Sequence, residues 1–211
     1  MRAIAALTLM AAFLPVPVFG QTAQKTKTFT NSDGAFRVVY PSDFQVCMRG
    51  KMDPCNQSFI PVCEPDAFVC VAYPAEGFND TSFGAASFQV REIFIERETM
   101  TADICVTPNP RKDGDTVEPW PEFLISAEHP VEIIGAVKFV HGVFGGAATG
   151  HWSGIDLYRT FHKQKCFELS VSETSTNPNN TDPLLKTPTP AQQKKLDRTM
   201  SDILHSFRFI Y

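Results

Sequence analysis

The chain has 211 residues, 43% hydrophobic and 20% charged, with 19 basic against 23 acidic residues and a formal net charge of −4 with histidines neutral. That balance offers no basic stripe of the kind nucleic acid and anionic membranes reward, so neither is an expected partner. Six cysteines, an even number, make the compartment the next question.

The N-terminus answers it. "MRAIAALTLMAAFLPVPVFGQT" carries a single positive residue, Arg2, then an apolar run over residues 3–14, then the small-residue end Val18-Phe19-Gly20. This pattern predicts a secretory signal peptide over residues 1–20, and the run is too short to span a bilayer. No cysteine lies near the predicted cut, so a lipid-modified N-terminus is not expected, nor is membrane insertion after cleavage. Residues 21–211 remain as a single α+β domain, long enough to bury roughly 70% of the unfolded chain's surface.

"KTFTNSDGAFRVVYPSDF" places Asp33-Gly34 between two alternating runs, a strong hairpin signal, with Phe36, Val38 and Tyr40 on one face. Then "VCMRGKMDPCNQSFIPVCEPDAFVC", residues 46–70, holds four of the six cysteines. Zinc is the competing explanation for such a cluster. Structural zinc sites pinch two ligands two to four residues apart, and neither that spacing nor a nearby histidine is present here, so disulfides are predicted. The turn formers Glu64-Pro65-Asp66 would bring Cys63 to Cys70, leaving Cys47 for Cys55 and Cys105 for Cys166.

Further along, "ASFQVREIFI" alternates Phe88 and Val90 against Gln89 and Arg91 and reads as a strand. "TPNPRKDGDTVEPWPEF" reads as an exposed loop, and the glycines of "GVFGGAATG" as a flexible hairpin connection. "IDLYRTF" and "CFELSVS" flank the polar connection His162-Lys163-Gln164-Lys165, which pairs Phe161 with Cys166 and Tyr158 with Leu169. That register sets Arg159 opposite Glu168 as a cross-strand ion pair at a wet surface, and a Cys105–Cys166 bridge would lay "TADICVTP" over it. "SETSTNPNNTDPLLKTPTP" reads as an exposed loop. In "TPAQQKKLDRTMSDILHSF", Thr189 caps a helix with Pro190 first and Gln192 completing a capping box, and Leu196, Met200, Ile203, Leu204 and Phe207 form one apolar stripe. "SFRFIY" closes the chain as a short strand.

The motifs "YPSDFQVC", "FQVREIF", "KCFELS" and "ILHSFRF" give most of residues 30–210 a resemblance to uncharacterised exported bacterial proteins and, in arrangement, to the PsbP/Mog1-like fold. The resemblance implies an antiparallel sheet packed by the C-terminal helix and a non-catalytic binding or assembly role.

No nucleophile elbow, P-loop, dinucleotide glycine motif or H-E-x-x-H is present, and no cofactor is expected. The expected function is therefore an exported binding or interaction module, secreted or periplasmic, for a protein or small-molecule ligand. Its predicted surface gathers Trp120, His151, Trp152, Arg159 and His162, where aromatic and titratable groups cluster. The alternative is a metal-binding protein or metal-dependent enzyme using His141, His151 and His162 beside Asp156, three imidazoles and a carboxylate that suit zinc or copper.

Overall fold

The structure is a computed structural model that describes residues 24–31, 35–55, 62–94, 99–106, 124–125, 130–181 and 184–210. The predicted signal peptide, the Asp33-Gly34 turn and Trp120 with its proline-rich loop lie outside these residues.

Strands β1 (Thr26–Asn31) and β2 (Phe36–Pro41) form the first hairpin, with Asn31 opposite Phe36. The C-terminal strand β11 (Arg208–Phe209) adds to the other edge of β2, completing a three-stranded sheet. The larger sheet collects β3 (Gln45–Met48), β4 (Val69–Ala72), β5 (Phe83–Ile93), β6 (Leu124–Ile125), β7 (Val131–Ile134), β8 (Val137–Ala148), β9 (His151–His162) and β10 (Lys165–Thr176). Its order is β3-β4-β5-β10-β9-β8-β6, with β7 also paired to β8. Every pairing in both sheets is antiparallel. The fold is thus α+β, an antiparallel sheet packed by a C-terminal helix and stapled by disulfides.

Three hairpins join β7 to β10, and each turns on two residues at positive φ: Gly135-Ala136, Thr149-Gly150 and Lys163-Gln164. Such turns match the right-handed twist of the strands they connect. The β9–β10 connection is therefore two residues long, since His162 and Lys165 already belong to the strands and pair with each other. The predicted register holds: Phe161 faces Cys166, Tyr158 faces Leu169 and Arg159 faces Glu168. Two loop expectations are corrected. "SETST" continues β10 to Thr176, and "GVFGGAA" lies inside β8, because residues 142–148 pair directly with β9.

Helix α2 (Pro190–Ser206) begins as its sequence predicts. Thr189 Oγ1 accepts from the Gln192 amide while the Gln192 side chain accepts from the Thr189 amide. Its stripe of Leu196, Met200, Ile203 and Leu204 is buried against the front face of the large sheet. Phe207 follows the helix and stacks on Phe36 at 5.4 Å, while Phe209 packs edge-on against Phe167 at 5.0 Å. Gly135 fits there because a β-carbon on it would overlap the Phe207 carbonyl oxygen.

The back face is covered by sulfur and by a helix the sequence did not announce. Cys47–Cys55, Cys63–Cys70 and Cys105–Cys166 are the three disulfides, the predicted pairing. The first two bury one small cluster with Met52, Val62, Ala67 and Ala72. There the Ser87 hydroxyl donates to the Val62 carbonyl at 2.6 Å, and Gln89 Oε1 accepts from the Glu64 amide at 2.8 Å. The third holds the short helix α1 (Ala102–Val106) over β9 and β10, as the bridge required.

Under that cover the Arg159–Glu168 pair is buried, not wet: both residues are 1% exposed. Arg159 Nε donates to Glu168 Oε2 at 2.7 Å, and Arg91 Nε donates to Glu168 Oε1 at 2.6 Å. One carboxylate therefore serves two guanidinium groups. Removing it strands two buried or half-buried cations, so Glu168→Ala is expected to cost about 3–5 kcal/mol of stability in urea denaturation. An Arg159→Met, Glu168→Leu double variant should cost less than that; a loss under about 1 kcal/mol for the single variant would put the pair among ordinary surface bridges.

Candidate functional site

The front face of β8, β9 and β10 is not fully covered. Helix α2 crosses the sheet from the Gly77 carbonyl, which accepts from Gln192 Nε2 at 2.8 Å, to β7, where His205 Nε2 lies 3.1 Å from Glu132 Oε1. Beyond the helix the long strands continue as a bare floor, leaving a cleft of about 570 Å³. That volume is in the range of small-molecule sites.

Alternation decides which side chains reach it. On β9 the front-facing series is Trp152, Gly154, Asp156 and Tyr158, and register places Val143 and Gly145 of β8 and Val171 and Glu173 of β10 beside them. The helix supplies the wall, Leu196, Asp197, Met200, Ser201, Leu204 and His205. Gly154 is required for the arrangement. A β-carbon there would come within 2.7 Å of the Trp152 ring, so the indole lies over the glycine. Trp152 is 44% exposed and forms the partition between this cleft and a second hollow lined by His151, Thr176 and Asn177.

The rim is acidic. Glu132, Asp156, Glu173 and Asp197 line the cleft, and among the described residues His205 is its sole basic side chain, without Lys or Arg. Asp156 accepts from His141 Nε2 at 2.8 Å, and that imidazole stacks flat on Tyr158, with centroids 4.5 Å apart. Burial first, then the charges of Asp156 and Glu132, push the Tyr158 phenol well above the usual tyrosine range. Gln193 Nε2 donates to both Glu173 Oε2 at 3.1 Å and Asp197 Oδ1 at 2.9 Å. Burial raises the Glu173 carboxyl above the usual carboxylate value; the Gln193 hydrogen bond draws it down, and the Asp197 charge adds to the rise.

The predicted surface residues do not share one surface. Arg159 lies buried on the back face. His151 and His162 are the first and last residues of β9, so roughly 36 Å of strand separates them. His151 Nδ1 pairs with Thr176 Oγ1 at 3.1 Å, and His162 stacks on Phe209 at 3.9 Å, where burial and then Lys163 hold its imidazole below the usual value. His141, His151 and His162 therefore cannot converge on one ion, and among the described residues no group of three or more His, Cys, Asp or Glu is placed to hold a metal. Trp152 and Asp156 do meet in the cleft. The sequence reading missed Glu132, Glu173, Asp197 and the helix wall. The alternation W-x-G-x-D-x-Y in "HWSGIDLY" is the signal that could have marked the floor.

No family model matches the chain, and no curated protein matches it. Three solved structures are similar to it at low identity. One is a protein from Bacteroides thetaiotaomicron, 10% identical with a TM-score of 0.39, covering 88% of this chain. The chain spans about half of that protein's length, 48%. The second is LpqN of Mycobacterium tuberculosis, described as involved in cell envelope biogenesis, at 10% identity and a TM-score of 0.40, covering 92% of this chain and 88% of LpqN. The third is PsbP from the cyanobacterium Synechocystis sp. PCC 6803, at 11% identity and a TM-score of 0.33, covering 94% of this chain and 99% of that one. The neighbours thus include a PsbP, the group whose arrangement the sequence motifs resemble. What the cleft can hold follows from its own side chains.

Two outcomes test this geometry. Gly154→Ala should swing the indole off the floor, changing the near-ultraviolet circular dichroism while leaving the fold intact, because the overlapping atoms are the far edge of a half-exposed ring. Glu173→Gln tests the electrostatics. A carboxyl whose folded-state value is raised contributes stability below its ordinary value and loses it as pH rises through the folded one. The variant should therefore gain on the parent as pH rises from about 4 to 7 in urea titrations, and an unchanged difference would sink the assignment.

Proposed function

We propose that the protein is an exported, non-catalytic binding module whose ligand site is the cleft between α2 and the front face of β8, β9 and β10. The observation that carries this reading is the cleft itself: a concave site with an apolar floor and wall, a half-exposed tryptophan at its edge and a few polar groups converging on it. Export is supported by the signal-like N-terminus and by three disulfides, bonds that persist in oxidising compartments. Among the described residues no helix is long and apolar enough to cross a membrane. The ligand class is a small molecule, and the net acidity supports no nucleic-acid role. The metal-handling alternative draws no support from histidines spread along the full length of a strand.

A blocking variant tests the site. Ser201 is exposed on the helix wall and carries no core packing, so Ser201→Trp fills the cleft without emptying the core. In a thermal-shift screen of small organic compounds, those that raise the midpoint of the parent should leave this variant unmoved. Compounds that shift both proteins alike would locate binding elsewhere and overturn the proposal.

A further inference from the structure

We infer that the cleft takes a small amphiphilic organic cation, an amine or quaternary ammonium carried on an apolar body. The inference rests on the cleft being the ligand site and goes on to name the chemistry that fits it.

Among the described residues four carboxylates line the cleft and no Lys or Arg does. Two of them already have a local partner: Glu132 faces His205 and Asp156 faces His141. The other two are held differently. Glu173 and Asp197 share one neutral donor, the Gln193 amide, and neither is paired with a Lys or Arg among the described residues. Two carboxylates gathered around an uncharged amide beside an apolar floor leave a negative field that a bound cation would satisfy. Elsewhere in this molecule a carboxylate in such a setting is given guanidinium partners, as Glu168 is by Arg91 and Arg159.

The apolar part is equally specific. Val143, Trp152 and Tyr158 on the strands and Met200 and Leu204 on the helix offer a lining without hydrogen-bond demand along most of its extent. An inorganic cation would gain nothing from it, and an anion would meet the carboxylates at close range. The face of Trp152, lying four residues from Asp156 on the same side of β9, adds the aromatic surface on which ammonium groups are best received. Its volume of about 570 Å³ suits a single small molecule and not a protein segment of any length.

The experiment uses three probes of one chain length: octyltrimethylammonium, octanoate and 1-octanol, each titrated by calorimetry and followed by tryptophan fluorescence. The protein is the Trp120→Phe variant, which leaves Trp152 as the sole tryptophan. Octyltrimethylammonium should bind at one site per chain, at least about tenfold more tightly than octanoate and more tightly than octanol. Glu173→Gln combined with Asp197→Asn should bring its affinity down to that of octanol while octanol binding stays put. If octanoate or octanol binds as tightly as the cation, and Ser201→Trp abolishes that binding, the cleft stands as the site and the cationic class falls. If all three probes bind the Ser201→Trp variant unchanged, or none binds the parent, the cleft itself is not the site and both readings fall together. A thermal midpoint in the double variant no lower than the parent's separates lost affinity from lost folding.

Discussion

Lys163 and Gln164, both at positive φ, close the β9–β10 hairpin in two residues and so fix a register on which nearly everything else depends. A slip of one position would turn one of the two strands over. Either Arg159 or Glu168 would then face the hydrophobic core, and the apolar residues of its strand, Tyr158 or Phe167 and Leu169, the disulfides. The register is held from both sides. In front, Phe167 and Leu169 pack beneath Phe36, Phe207 and Phe209 and the helix stripe, and behind, Cys166 is bonded to Cys105.

The back face shows how a polar surface is made dry. Ser87, Gln89, Arg159, Glu168 and Ser170 are all buried there, and each must recover in hydrogen bonds what it loses in water. The cysteine-rich segment and α1 provide the cover; the segment adds partners through the Val62 carbonyl and the Glu64 amide, and the sheet itself supplies the Arg91–Glu168–Arg159 network. Short segments with little apolar surface would not stay on a sheet unaided, and the disulfides hold them in place by restricting the unfolded chain.

The cleft exists because the layers have different lengths. Twelve-residue strands extend about 40 Å, whereas a helix crossing them covers a band about 10 Å wide, and the small β1-β2-β11 sheet covers one side of that band alone. The other side keeps its side chains in water. Gly145 opposite Gly154 lowers the floor there, and the indole of Trp152 closes the edge.

Local pattern carried a large part of this description. The two local disulfides, the register of the last hairpin and the capped helix could be read from the sequence because each rests on residues close together in the chain or on strict two- and four-residue periodicities, and Cys105–Cys166 followed as the remaining pair. The two-residue turns were harder, since Lys163-Gln164 carries no Asn-Gly or Asp-Gly signal and is held in its unusual conformation by the strands around it. Whether Arg159 was wet or buried depended on α1, a five-residue helix too short to announce itself. Histidines ten and eleven positions apart looked like neighbours, but an extended strand carries such residues to its two ends. What the sequence by itself determined was the staples, the faces of the strands and the stripe of the helix, all set by short-range chemistry. The cleft and its ring of carboxylates were decided by tertiary structure, because they arise where α2, from further along the chain, crosses three successive strands and covers only part of their face.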